Sequence, residues 1–173
     1  MSADTGAVPG KSFAPDAGNA RDFRDALGRF ATGITVVTIQ GADGPMGFTA
    51  NSFASVSLDP PLVLWSPAKT SSRYAVFAAA PHFSIHILGA DQAHLSHRFV
   101  KGGTGFYGLE PATSAQGVPV IPGVLARFDC VQHATHDGGD HLIILGRVLH
   151  CITQEGAPLV FSQGGYGAFN PEL

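Results

Sequence analysis

The chain has 173 residues, of which 45% are hydrophobic and only 13% charged, with a formal net charge of -3. This length suits one domain, and the lack of basic blocks argues against a nucleic-acid surface or a polybasic membrane patch. The charged fraction is about half of the ~25% usual for a globular domain, so we expect a second copy of the chain to cover part of the apolar surface, as a homodimer.

Residues 1–20 are rich in Ala, Gly, Ser and Pro, which predicts a flexible arm before a single domain spanning 21–173. The arm lacks the apolar segment of a secretory signal, and no apolar run approaches the ~20 residues that span a bilayer. Cys130 and Cys151 lie in strand-like runs without CxxC spacing, which predicts two buried, reduced thiols and a cytoplasmic location.

The first elements form a helix and a hairpin. Apolar residues at 23, 27, 30 and 31 recur at helical spacing, which predicts an amphipathic helix ended by Gly33 in a left-handed conformation. The β-branched run 34–39 predicts a strand, and the turn-forming residues 41–45 return the chain into a second strand at 46–49.

Further strands are predicted at 62–65, 82–88, 124–133, 141–152 and 159–161. In two of them alternation places polar side chains outward, among them His82, Ser84, His86 and Asp129. Helices are predicted over 71–80, capped by Thr70, and from 91 to 99. Short connections and the lack of βαβ alternation predict a mainly β fold: an antiparallel barrel with a few short helices.

Residues 48–72 are the candidate binding stretch. In the first half, small residues could let the backbone approach the polar edge of a flavin ring. In the second half, a lysine and three hydroxyls lie before the predicted helix, where an anionic phosphate is favoured. Turn and capping residues of an ordinary loop would have the same composition, so that alternative stays open on composition alone.

Longer motifs favour the flavin interpretation. The run 23–38 resembles the opening of the short-chain flavin reductases, which are the reductase components of two-component flavin monooxygenases. The run 47–62 resembles the main signature of that family, Lys69 with Ser71 and Ser72 resembles its phosphate loop, and 139–141 resembles its Gly-Asp-His motif. The resemblance covers about residues 21–167.

The resemblance implies a split β-barrel that dimerises, binds FMN or FAD, and takes hydride from NADH or NADPH. Thr49, Ala50, Asn51 and Ser52 would hold the flavin ring, and Phe99 would lie beside it. The phosphate would be held by Ser66, Lys69, Thr70, Ser71 and Ser72. His141, as the candidate catalytic residue, and Tyr166 would meet the nicotinamide. The reduced flavin would pass to a separate monooxygenase.

Two other functions remain open at this level: a flavin- or haem-binding split-barrel protein without reductase turnover, which would store or sense its cofactor, and a flavoenzyme acting directly on an organic substrate. The eight histidines suggest no metal site, because no HExxH or paired CxxC occurs. His133, His136 and Asp137 form the least improbable cluster, and solvated surface histidines are the preferred interpretation.

Overall fold

A computed structural model describes residues 10–169 and 171 of the chain. Its α-helices are α1 (Ala20–Leu27), α2 (Tyr74–Ala79) and α3 (Ala93–Arg98), the last preceded by a 3-10 turn at Ala90–Gln92. Its strands are β1 (Thr32–Gly33), β2 (Thr35–Gly41), β3 (Gly44–Ala50), β4 (Ala54–Leu58), β5 (Pro61–Trp65), β6 (His82–Ile87), β7 (Ala112–Thr113), β8 (Pro119–Val120), β9 (Ala126–Gly138), β10 (His141–Thr153), β11 (Leu159–Ser162) and β12 (Gly165–Ala168).

Seven strands form one antiparallel sheet in the order β3-β2-β6-β9-β10-β5-β4. Its outer strands, β3 and β4, are consecutive in the chain, and only residues 51–53 separate them. A flat sheet would hold these strands about 29 Å apart, at about 4.8 Å per strand, whereas four Cα steps reach at most about 14 Å. The sheet must therefore curl until its edges meet, which gives a barrel with a seam between β3 and β4.

Two apolar clusters flank β2, whose residues are buried on both faces. One cluster lies with Val37, Trp65 and Phe83 on one side, and the other gathers Val36 and Phe99 with the β11 strand on the opposite side. Burying an aromatic or branched side chain contributes roughly 1.5–3 kcal/mol, so these clusters fix β2, and β2 in turn pairs with β3, the strand that leads into the candidate site. The mainly β fold with few short helices is confirmed, and so is the split-barrel architecture.

The helix predictions need two corrections. Helix α1 ends at Leu27 instead of continuing to Ala31, and Gly33 lies in β1 with no left-handed conformation. A tertiary contact ends the helix, because the Gly28 carbonyl accepts hydrogen bonds from Gln163 N–H at 2.9 Å and from the Ser162 hydroxyl at 3.2 Å.

Thr70 caps no helix. Helix α2 begins only at Tyr74, after turns in which Ser71 N–H bonds the Ala68 carbonyl and Tyr74 N–H bonds the Ser71 carbonyl. The candidate phosphate loop is thus a tight loop rather than the N-terminus of a long helix, and the helix-dipole argument for this loop was wrong.

Five strands were not predicted. Strand β4 is rich in serine and β12 in glycine, and β1, β7 and β8 have only two residues each. Three side chains expected to point outward are buried instead: Asp129 accepts a hydrogen bond from the equally buried Ser84 hydroxyl at 2.6 Å, and His86 is fully enclosed. Alternation failed here because these strands have protein on both faces. Cys130 is buried as expected, but Cys151 is exposed.

The predicted arm, residues 1–20, lies partly outside the described residues. Within its described part, the Lys11 ammonium pairs with the Asp22 carboxylate of α1 at 2.5 Å. Among the helices that the structure describes, none is long and apolar enough to span a membrane.

Candidate functional site

The first half of the candidate stretch lies at the seam of the barrel. Thr49 and Ala50 end β3, and Asn51 begins the link to β4. A cavity of about 170 Å³ opens beside them. Its walls are Ile34, Thr49, Ala50, Asn51, Phe161 and Tyr166. Four of the residues predicted to bind cofactor therefore line one space, with Tyr166 brought there from the far end of the chain.

Helix α3 fixes this side of the site. The Thr49 hydroxyl donates to the Ser96 carbonyl at 2.6 Å, and Thr49 N–H donates to the Phe99 carbonyl at 3.1 Å. The Ser96 hydroxyl donates to the Ala93 carbonyl and lies 2.8 Å from the Tyr166 hydroxyl. Because a hydroxyl has one hydrogen, Tyr166 is the donor to Ser96, and this bond fixes the tyrosine over the cavity.

Ser52 joins the two halves of the stretch. Its hydroxyl accepts a hydrogen bond from Ser66 N–H at 2.9 Å and lies 3.3 Å from the Ser66 carbonyl oxygen. The ring side of the site and the start of the candidate phosphate loop are therefore held together across the seam. This contact confers on Ser52 a structural role in addition to its predicted cofactor contact.

Arg73 was missed at the sequence level. Its guanidinium is buried, lies 4.1 Å from the centre of the Phe48 ring, and donates to the carbonyls of Gly47, Phe99 and Val100 at 2.6–2.8 Å. Burial lowers the pKa of this guanidinium. Arg73 thereby fixes β3 against α3, and no local pattern could reveal it because its partners lie 26–27 residues away.

The second half of the stretch lies on the β9–β10 turn. Lys69 N–H donates to the Asp140 carbonyl at 2.9 Å, and Leu142 N–H donates to the Pro67 carbonyl at 3.1 Å. The Lys69 ammonium pairs with the Asp137 carboxylate. A hydrogen bond from Lys69 lowers the pKa of Asp137, and the same bond raises the pKa of Lys69. Lys69 thus carries a full positive charge, and Asp137 is a partner that the sequence did not predict.

The hydroxyls predicted to surround the phosphate lie on the same loop. Thr70 and Ser72 are exposed, whereas Ser66 and Ser71 are half-buried. The Ser71 hydroxyl accepts a hydrogen bond from Arg73 N–H at 3.3 Å. The loop therefore presents one cation with two solvent-facing hydroxyls, which matches the chemistry that binds a phosphate.

His141 lies beside this loop rather than beside Tyr166. Its backbone forms an isolated antiparallel β-bridge with Ala68, and its Nδ1 lies 2.8 Å from the Asp140 carboxylate. That bond lowers the pKa of Asp140. The two residues expected to meet the nicotinamide are thus in different parts of the site: His141 is at the Lys69 end and Tyr166 at the Thr49 end.

Phe99 does not fit its predicted role. Its ring is fully buried, packs against Phe106 with centroids 5.0 Å apart, and fills space that side chains at Gly47 and Gly105 would occupy. Such a ring offers no surface to a ligand, so its predicted contact with the flavin is unsupported. Only its carbonyl serves the site, by accepting from Thr49 and Arg73.

The order of the groups in this site matches the order of the parts of a flavin mononucleotide: a ring at one end and a phosphate at the other. An apolar-walled cavity is edged by the backbone of Thr49–Asn51. The next residue, Ser52, is hydrogen-bonded to Ser66, which begins the loop that carries the Lys69 cation and its neighbouring hydroxyls. In the part of the chain that the structure describes, no group of three His, Cys, Asp or Glu side chains is placed to hold a metal ion.

Comparison with known proteins gives one consistent family. The family model for the flavin reductase like domain matches residues 27–170. The chain is 57% identical over 158 residues, 91% of either protein, to the FMN reductase (NADH) SmoA of Agrobacterium fabrum (strain C58).

Solved structures that resemble this chain also include flavin reductases. The structure of nitrilotriacetate monooxygenase component B from Mycobacterium thermoresistibile has a TM-score of 0.84 at 40% identity, covering 90% of this chain and 89% of that one. The NADH:FAD oxidoreductase SgcE6 of Streptomyces globisporus, in complex with NAD and FAD fragments, has a TM-score of 0.85 at 34% identity, covering 93% and 99%. The match over most of the chain means that this protein belongs to the flavin reductase-like family.

Proposed function

We propose that the chain is an NADH-dependent flavin reductase that transfers hydride from the nicotinamide to FMN or FAD and releases reduced flavin to a separate monooxygenase. The observation that carries this proposal is that the Ser52–Ser66 hydrogen bond joins the Thr49–Asn51 cavity to the loop that carries Lys69. Relatives named as reductase components of flavin-dependent monooxygenases support the partner.

The hydride chemistry is supplied by the two cofactors when they are bound, and the protein supplies binding, orientation and exclusion of water. In this proposal Thr49, Ala50 and Asn51 bind the polar edge of the ring mainly by backbone, and Tyr166 covers one face. Such a site needs no strong acid or nucleophile.

At the other end, Lys69 binds the flavin phosphate, aided by Ser66, Thr70, Ser71 and Ser72. His141, oriented by Asp140 at 2.8 Å, is proposed as the residue that carries a proton or donates a hydrogen bond there.

We also propose a homodimer. One group of exposed apolar side chains lies on β4 and on the second half of β10: Leu58 is 97% exposed, and Val56, Leu149 and Ile152 are 44–46% exposed. Strand β4 is moreover an edge strand, and exposed apolar edges favour association. Light scattering at micromolar concentration should give twice the chain mass, and a monomer mass would contradict the dimer.

The function is tested by NADH and NADPH oxidation with FMN and with FAD, in four combinations. We expect oxidation with NADH and at least one flavin. No oxidation in any combination would refute reductase activity, and flavin binding without turnover would leave a cofactor-binding protein.

The phosphate contact is tested with Lys69→Ala, using the exposed Lys101→Ala as matched control. Loss of a charge-assisted hydrogen bond should weaken FMN binding on the order of tenfold. Riboflavin, which lacks the phosphate, should bind both variants and the unaltered chain equally. Equal FMN affinity in all three proteins would exclude Lys69 from the phosphate site.

A further inference from the structure

We infer that the groove between α1 and the β11–β12 hairpin binds the adenosine diphosphate portion of the nicotinamide dinucleotide, with Arg24 and Arg29 as its phosphate ligands. This inference rests on the proposed reductase function, since it assigns a place to the second substrate. It concerns a part of the chain outside the 48–72 stretch.

The groove has a volume of about 440 Å³, which exceeds the 170 Å³ of the ring cavity. This size lies within the ~300–1,000 Å³ of small-molecule sites. Its walls include Arg24, Asp25, Arg29, Phe161 and Gln163. Its two sides are joined by backbone contacts at Gly28, described above, so the groove is a built feature of the fold.

Gln163 belongs to the turn that forms one wall of the groove. Gln163 and Gly164 are the two residues between β11 and β12, with φ of 50° and 82°, and such two-residue hairpin turns need positive φ at both positions. The turn therefore holds this wall of the groove in one conformation.

The groove connects to the candidate ring cavity. A second cavity of about 210 Å³ shares Arg24 and Phe161 with the groove, and it also reaches Asn51. Asn51 and Phe161 in turn line the ring cavity beside Tyr166. An extended ligand can therefore run from Thr49 and Asn51 to the arginines along one continuous surface.

The charges in the groove fit a diphosphate linked to ribose. The side chains of Arg24 and Arg29 are exposed, and neither takes part in an ion pair with another described residue. Two guanidinium groups are suited to bidentate binding of phosphate oxygens. Asp25 adds a carboxylate that can accept hydrogen bonds from ribose hydroxyls, and Phe161 offers an aromatic face for a base.

The position of the groove relative to Lys69 decides whether it would bind FAD or the nicotinamide dinucleotide. From Asn51, the path through Ser52 and Ser66 leads to Lys69, which the proposed function gives to the flavin phosphate. The adenylate half of FAD would continue beyond Lys69. The groove instead adjoins the ring cavity through lining residues that include Phe161 and none of Ser52, Ser66 or Lys69, and it is therefore assigned to the nicotinamide dinucleotide.

The test compares Arg24→Gln/Arg29→Gln with Arg21→Gln, a matched control on the same helix that does not line the groove. The direct probe is ADP-ribose, measured by titration calorimetry. We expect the unaltered chain and the control to bind it, and the double variant to bind at least tenfold more weakly. The KM for NADH should rise similarly, whereas the kcat, the FMN affinity and the KM for reduced nicotinamide mononucleotide should stay unchanged.

Unchanged ADP-ribose affinity together with an unchanged KM for NADH would overturn the inference. Weaker FAD binding with an unchanged KM for NADH would also overturn it, because the groove would then serve the flavin dinucleotide. If no NADH is oxidised but ADP-ribose binding still depends on the arginines, the groove assignment stands and the reductase proposal fails. Thermal melting of each variant checks that the fold is retained.

Discussion

Acid should destabilise this protein through His86. The imidazole is completely enclosed: Nδ1 lies 2.9 Å from the Val36 carbonyl, and Nε2 accepts a hydrogen bond from Ile121 N–H at 3.1 Å. These partners fix the tautomer with hydrogen on Nδ1. Protonation of Nε2 would break the second bond and place a charge in the core, so burial lowers the pKa of His86 to about 4.

The magnitude follows from the difference between the folded and unfolded pKa. The unfolded pKa is 6.5 and the folded pKa about 4, so the unfolded state takes up the proton first as pH falls. The contribution of neutral His86 to the free energy of unfolding is therefore complete above pH 6.5, and it is lost progressively as the pH falls from 6.5 to 4. At 1.36 kcal/mol per pKa unit the full loss is about 3 kcal/mol, of which about 2 kcal/mol falls between pH 8 and pH 5.

Urea unfolding at pH 8, 7, 6 and 5 measures how much His86 contributes to the pH dependence of the free energy of unfolding. His86→Gln cannot titrate, so its free energy of unfolding should vary less with pH than that of the unaltered chain, by about 2 kcal/mol over this range. His82→Gln, on the same strand but only half-buried, is the matched control and should keep the steep dependence. Parallel pH profiles for His86→Gln and the unaltered chain would refute the reasoning.

Two further predictions concern the walls of the site. Ser96→Ala and Tyr166→Phe each remove the same 2.8 Å hydrogen bond, so both should raise the KM for flavin and the double variant should add little; additive losses would show independent roles. In Gly47→Ala, the new Cβ would lie 2.2 Å from a Phe99 ring carbon, and overpacking should lower the free energy of unfolding by about 1–3 kcal/mol. The control Gly33→Ala has open space, and equal urea midpoints for the two variants would contradict the packing argument.

The order of residues 48–72 predicted local structural features, while the binding roles of these residues stay predictions. Small residues at the end of a strand and a lysine in a short loop are features of neighbouring positions, and the structure keeps them in that order. The partners of these residues could not be predicted, because they lie far away in the sequence. Asp137 lies 68 positions from Lys69, and Tyr166 lies 70 positions from Ser96.

Burial on both faces explains the other failures. Alternation assigns one face of a strand to water, but β2 and β6 are buried on both faces, so His86 is enclosed by β2 and by the segment around Ile121. The end of α1 was likewise set by a contact with Gln163, far along the chain. Each such partner depends on how the sheet curls, and a local pattern does not contain that information.

The link of residues 51–53 joins the first and last strands of the curled sheet, and Asn51 also lines the ring cavity. A bound ligand in that cavity therefore touches the point at which the barrel closes. Binding to the folded state alone raises its stability in proportion to the logarithm of ligand concentration. The lifetime of this protein against heat and proteases should consequently follow the supply of flavin, so that a shortage of cofactor would reduce the amount of enzyme as well as its activity.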